Sequence, residues 1–316
     1  MKRLLLGSAA CLLFPCVLLA SPWQSKPVGV LLVSELGGGD WNHFVKNARK
    51  SLGKEIPLQT FTGALGTRGL QRAVTRLEAD KVERIVVIPV FLESTTPEFI
   101  QLQYLFGANL YPSKAFLEKW GMGSRVVKRV KSKIPIVITN GLDGHEAVGR
   151  TLLERAQDMS RTPKKEMVIL IGSGVADEQE NSLLAARLNS LAGNVAIRGG
   201  FSSARGFLVR PNAEKKPRQH EESIQILRKA IREASKRNRV IVVPYLLLDD
   251  GSVRAWRKRL DNMFFRWKGK TLMPNDAMHA WLKVRIDAAR EAENMVRFKD
   301  DGKPLPSARR KSRINP

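Results

Sequence analysis

The sequence predicts an α/β fold made of two tandem units, each a mostly parallel sheet flanked by helices. Two matched runs carry that prediction: Arg84 to Leu92 (RIVVIPVFL) and Arg239 to Leu248 (RVIVVPYLLL), with Pro89 and Pro244 at equivalent places. Stretches apolar on both faces belong in the middle of a parallel sheet covered on two sides, whereas a one-sided antiparallel strand would alternate. A third observation is recurrence. The strand, small-residue turn and helix start of residues 28–42 (VGVLLVSELGGGDWN) return at residues 168–181 (VILIGSGVADEQEN), as expected of one structural unit used twice. Proline removes a ladder donor, so Pro89 and Pro244 mark the strand ends where the chain leaves the sheet. That edge is where α/β proteins hold their ligands.

In order, Val28 to Val33 is the first strand, and a helix follows from about Trp41 to Leu52. The intervening Gly37-Gly38-Gly39 fits neither the dinucleotide fingerprint nor the P-loop lysine pattern. Ile56 to Phe61 forms a short strand. Gly69 to Lys81 is a helix with Leu70, Ala73, Val74 and Leu77 on one face, and it leads into the run at Arg84. Residues 98–132 interrupt the pattern with an aromatic-rich helical insertion and a cationic run from Arg125 to Lys133. The insertion packs on its own domain or serves as a lid or membrane-facing surface. Ile134 to Thr139 is then a strand and Gly144 to Asp158 a helix. In the second unit, Ser182 to Leu191 continues a helix with Gly193 as its C-cap. Asn194 to Arg198 is expected as a strand, and Glu221 to Lys236 is a helix preceding the run at Arg239. LDGHEAVGRTLLERA from Leu142 and LMPNDAMHAWLKVRI from Leu272 close the two units alike. The domains are therefore 28–160, containing the insertion at 98–132, and 166–297, with a basic disordered tail at 298–316.

Residues 1–20 read as a secretory leader: Lys2 and Arg3, an apolar stretch from Leu4 to Leu19, then Ala20 before the cut. Cleavage makes the protein periplasmic or extracellular, and the alternative, suggested by bulky Leu18, is an uncleaved N-terminal anchor. Cys11 and Cys16, the chain's two cysteines, both lie in this leader, so the mature chain has no thiol ligand or nucleophile. The formal net charge of +24 favours acidic partners such as carboxylate-rich small molecules or an anionic membrane surface. The other reading is a solvated basic exterior. No nucleic-acid partner is expected, because zinc-finger spacing, RNP-like aromatics and a recognition-helix signature are all missing.

LLVSELGGGDWNHFV, RIVVIPVFLESTTP and ITNGLDGHEAV, in that order, resemble the class II chelatase family, the sirohydrochlorin cobaltochelatases and their ferrochelatase relatives. VILIGSGVADEQENSLLAARLNSLA and RVIVVPYLLLDDGS resemble a second copy. The resemblance spans about residues 28 to 290. It implies two lobes facing one another, a tetrapyrrole in the cleft between them, and insertion of a divalent metal (cobalt, nickel or iron) as substrate.

That family's first strand ends in a small residue, His and Gly, where this chain has Ser34, Glu35 and Leu36. Its third strand continues Phe-Leu and small residues to His, where this chain runs Phe91-Leu92 through Glu93 and Ser94 to Pro97. Ser173 and Ser252 stand at the corresponding places of the second copy. Metal insertion needs a ligand that holds the ion weakly and a base for the pyrrole protons, and neutral imidazole performs both near pH 7. The resemblance makes Glu35 and Glu93 the candidates for a shared metal site and for catalysis, with Ser34, Ser94, Ser173, Asp249 and Asp250 as substrate contacts. Each has a plainer reading: Glu35 as a solvated turn residue, Asp249 and Asp250 as turn formers. The four histidines show no ligand spacing and read as surface or capping residues. Ser173 lies in GSG, which lacks the nucleophile-elbow pattern. Two functions stand: a chelatase-like enzyme, or a catalytically silent relative that binds a tetrapyrrole, a metal or another anionic ligand.

Overall fold

The computed structural model describes residues 27–113, 116–117, 128–212 and 217–300. The leader, the tail beyond residue 300 and most of the stretch from 114 to 127 lie outside the described residues.

Two four-stranded parallel sheets form the frame, as the sequence predicts. The first contains β1 (Val28–Ser34), β2 (Leu58–Thr62), β3 (Arg84–Pro89) and β4 (Ile136–Ile138), in the order β2-β1-β3-β4. The second contains β5 (Glu166–Ser173), β6 (Ser203–Val209), β7 (Arg239–Tyr245) and β8 (Arg266–Trp267), in the order β6-β5-β7-β8. The duplication extends to register. Val33 lies between Phe61 and Pro89 in one sheet, and Ile171 lies between Phe207 and Pro244 in the other. The central strands are buried along almost their whole length, which is why their sequences do not alternate. β3 ends at Pro89 and β7 one residue past Pro244.

Among the described residues the α-helices with defined bounds are α1 (Gly39–Leu52), α2 (Thr67–Ala79), α3 (Pro97–Leu105), α4 (Glu146–Gln157), α5 (Glu178–Gly199), α6 (Pro217–Ser235), α7 (Ser252–Arg259) and α8 (Asp276–Ala289). α2 buries the predicted face Leu70, Ala73, Val74 and Leu77. The strand expected at Asn194 to Arg198 is instead the last turn and a half of α5. Leu188, Leu191, Ala192 and Val195 are its buried residues, a three-and-four spacing that only a helix satisfies. Gly193 is an interior helical residue. The cap is Gly200, which at φ 66° adopts the left-handed conformation glycine tolerates.

Terminal helices reach across the molecule. α4, from the first unit, packs on α5 and β7, while α8, from the second, packs on α1 and β3. Arg155 of α4 donates to the carbonyls of Thr271 and Pro274. Arg285 of α8 donates to that of Gly141. Trp281, Leu282, Met278 and Ile286 of α8 share one buried cluster with Val30, Phe44 and Leu152, so the main core lies between the sheets. Each such side chain contributes about 1.5–3 kcal/mol on burial. Beyond α8 the chain pairs with the first lobe: Met295 N–H donates to Ile136, and Arg297 and Phe298 donate to Gly107. Phe298, expected to open the tail, is thus hydrogen-bonded to the first lobe. Lys299 and Asp300 are also fixed, both by Arg129, a buried cation over the Tyr104 ring. α3 buries Phe99, Leu102, Tyr104 and Leu105 in the first lobe's outer cluster, so this described part of the insertion packs on its own domain.

Candidate functional site

The carboxyl ends of β1, β3, β5 and β7 converge on a cleft between the lobes. It encloses about 290 Å³ and is lined by Ser34 at the end of β1 and Glu35 after it, Val90 to Leu92 after β3, Ser173 at the end of β5, and Leu246 to Leu248 and Asp250 after β7. Glu98 of α3 adds a third carboxylate, and no Lys, Arg or His lines the cleft among the described residues. The cleft is thus an acidic mouth over an apolar wall. Ser34 is buried, its hydroxyl donating to the Leu36 carbonyl at 2.9 Å and accepting from the Leu36 N–H. That turn holds Glu35 out in solvent at the rim.

Glu93 lies elsewhere. It is 3% exposed, is not among the cleft-lining residues, and pairs across the lobe boundary with Arg187 of α5. The Tyr245 hydroxyl on β7 donates to its Oε1 at 3.4 Å. Burial pushes the Tyr245 phenol up to about 12, with Arg187 working against the shift and Asp143 adding to it. The two glutamates proposed to share a metal are therefore separated, one in solvent at the cleft and one closing the lobe interface. Ser94 is likewise a loop fastener: its N–H and Oγ both donate to Asp143 at 2.6 Å, and Oγ accepts from Gly141 N–H. Gly141 is required there, since a Cβ would stand 2.7 Å from the Phe91 carbonyl oxygen.

On the second lobe Asp249 accepts from Gly251 and Val253 N–H, and Asp250 from Ser252 N–H at 2.9 Å. Both follow the turn-forming reading, holding backbone amides of the turn that leads into α7, though Asp250 also lines the cleft. The histidines are dispersed. His145 caps α4, His279 stacks on Phe44 at 5.0 Å, His43 is exposed, and Nδ1 of His220 donates to the Arg210 carbonyl at 2.7 Å. Asp177 caps α5 through Glu180 N–H. Among the described residues no three of His, Cys, Asp and Glu are arranged to hold a metal ion.

A second cavity, of about 770 Å³, adjoins the cleft and shares Ser173 and Asp250 with it. Its basic side chains are Arg210, His220, Lys258 and Arg259, of which Arg210 pairs with Glu178 and Arg259 with Glu221. These four come from the end of β6, α6 and α7, with no motif spacing in the sequence. The only local signal is RAWRKR in α7, whose Trp256 is buried and whose neighbouring cations must then surround an apolar floor.

No family model matches the chain, and no curated protein matches it in sequence. Solved structures do. SirB from Bacillus subtilis with Fe3+ is 13% identical, with a TM-score of 0.56 over 84% of this chain and 96% of that one. The sirohydrochlorin chelatase SirB from Bacillus subtilis subspecies spizizenii, in complex with cobalt, is 13% identical with a TM-score of 0.54 and the same coverage. A multi-domain Deinococcus radiodurans protein with structural similarity to chelatases is 15% identical with a TM-score of 0.53, over 86% of this chain and 57% of that one. The fold is thus the two-lobed chelatase-like α/β architecture, with the cleft where its strand ends meet.

Proposed function

We propose that the chain is an exported protein that uses the chelatase scaffold to bind a tetrapyrrole, metal-free or metal-loaded, without catalysing insertion. The observation that carries this reading is the separation of the two carboxylates. Glu35, at the place where the family pattern has histidine, sits in solvent on the cleft rim, while Glu93 is held under the lobes by Arg187. A carboxylate at an exposed rim is a weak base for pyrrole protons, and two oxygen ligands that do not line the same cleft are a poor site for cobalt, nickel or iron. An acidic cleft still suits a cationic centre, and the basic cavity beside it suits acidic side chains at a macrocycle's rim. The neighbours support the ligand class: SirB is described as a sirohydrochlorin chelatase and is seen with Fe3+ and with cobalt. The leader supports export.

The test is absorbance of the purified protein mixed with sirohydrochlorin, before and after adding cobalt. Saturable spectral change with metallation at the spontaneous rate is the expected result. Metallation above that rate, lost in Glu35→Gln, would restore the enzyme reading, and no spectral response would sink both.

A further inference from the structure

We propose that the outer face of the first lobe is a docking surface for an anionic phospholipid bilayer. Arg68, Arg72 and Arg76 follow one another at four-residue spacing on the exposed side of α2, a row about 12 Å long. A second row lies beside it. Residues 128–133 run along the helix in the same direction: the Thr67 hydroxyl donates to the Lys128 carbonyl, the Gln71 side chain exchanges two hydrogen bonds of 2.8 Å with the Lys131 backbone, and Glu78 accepts from Lys133 N–H at 2.6 Å. Lys128, Lys131 and Lys133 are exposed. Among the described residues none of these six cations forms an ion pair.

The fold does not ask for this arrangement. Like charges four residues apart on a helix repel, and Arg68 stands in a first turn that holds no acid, where the helix dipole disfavours a cation. The second lobe serves as an internal control. Its α6 covers the outer face of the second sheet as α2 covers that of the first, yet the exposed side of α6 mixes both signs, with Glu221 paired to Arg259 and Glu233 to Lys236. Such mixing is what a merely solvated surface shows. An unpaired row of one sign, present on one copy alone, is accounted for by an anionic partner.

A bilayer fits better than a soluble polyanion because apolar side chains adjoin the cations. The buried guanidinium of Arg129, between Lys128 and Lys131 in the chain, donates to the Leu110 carbonyl at 2.9 Å. That bond holds Leu110, and Tyr111 after it, next to the second row, and both are exposed. A polyanion in water has no use for a leucine and a tyrosine, whereas the headgroup region takes both, with the phenol toward water. The cations then meet lipid phosphates. α2 packs on the face of the first sheet turned away from the second lobe, so a docked protein keeps its cleft open. The inference does not depend on what the cleft binds.

Co-sedimentation of the purified protein with vesicles of mixed phosphatidylglycerol and phosphatidylcholine at low ionic strength tests it, with pure phosphatidylcholine vesicles as control. Binding at least tenfold tighter to the anionic vesicles, and weakened by salt, is expected. Arg68→Glu, Arg72→Glu and Arg76→Glu together should weaken it at least tenfold with an unchanged melting curve. Lys128→Glu with Lys131→Glu makes the same test on the neighbouring row should the triple variant misfold. The charge-matched triple on the sister helix, Arg218→Glu, Lys229→Glu and Arg232→Glu, should weaken it less than threefold. Tyr111→Ser should weaken vesicle binding at least threefold and leave the binding of inorganic polyphosphate unchanged. Neutral vesicles bound as tightly as anionic ones, or equal losses from the two triple variants, would overturn the proposal. Vesicle binding indifferent to Tyr111→Ser would overturn it in favour of a soluble polyanion.

Discussion

The two lobes share strand order and register, yet each buries a carboxylate where the other buries an aliphatic side chain. Glu166 opens β5 opposite Arg239, and Val28 holds the matching place in β1 opposite Arg84. Glu93 follows Pro89 by as many residues as Leu248 follows Pro244, and Leu248 is a core residue. The fold itself demands neither charge. What differs is the source of the partners. Glu166 is satisfied close to home, by Ser160, the Arg161 N–H and Arg266. Glu93 is satisfied by Arg187 and Tyr245 of the opposite lobe. A buried acid therefore stabilises one lobe internally in the first case and ties two lobes together in the second.

That contrast can be broken by experiment. The largest effect is expected for Arg187→Met, which leaves the Glu93 carboxylate buried without its cation and should cost about 3 kcal/mol in urea unfolding. Adding Glu93→Leu, the second lobe's own solution, should recover most of that loss. A single variant of wild-type stability would mean that Glu93 does not join the lobes.

Glu166→Gln comes next, at about 2 kcal/mol, the scale of hydrogen bonds to a charged group. Burial pushes this carboxyl up, but hydrogen bonds from Ser160, the backbone N–H groups of Arg161 and Thr162, and Arg266 outweigh burial and hold it below its usual range. Its contribution is therefore present above about pH 4.3, the unfolded carboxyl value, and is lost as the pH falls through the lower folded value. The urea midpoint of the wild type should drop more steeply below that pH than the variant's.

Tyr245→Phe should cost about 1 kcal/mol, one hydrogen bond. Because the folded phenol titrates at about 12, its stabilisation is complete below about pH 10 and fades as the pH rises through the folded value. An absorbance titration should show a phenol ionising at about pH 12, and the variant should lack that step. Glu35→Gln closes the series. At an exposed rim position it should change stability by less than about 0.5 kcal/mol while altering the cobalt response of the cleft, a division that marks a ligand-facing residue.

Continuous apolar runs made the central strands legible, and the two prolines placed the edge on which the cleft opens. Both signals are local, and so is the cleft position of Glu35 and Ser173, one just past β1 and the other closing β5. Partners distant in sequence were not legible: Glu93 and Arg187 come from different units, and Ser94 meets Asp143 across 49 residues. For that reason the pairing of Glu93, expected as a ligand, with Arg187 at the lobe contact could not be read in advance. The basic cavity was hidden in the same way, because its cations converge only after β6, α6 and α7 are assembled. Asn194 to Arg198 misled because Val195 and Ile197 lie between glycines, while the apolar spacing that makes it a helix begins further upstream, in α5.

The crossing of α8 has a consequence for how the protein is made. Arg84 finds the Ala289 carbonyl 205 residues later, and β4 is bordered by Asn294 and Met295. At ordinary translation speeds the wait is on the order of tens of seconds, during which the apolar face of β3 has no permanent cover. The first lobe cannot finish folding on the ribosome; it stays sticky until nearly the whole chain has emerged, and a truncation before α8 would fail as two lobes rather than one.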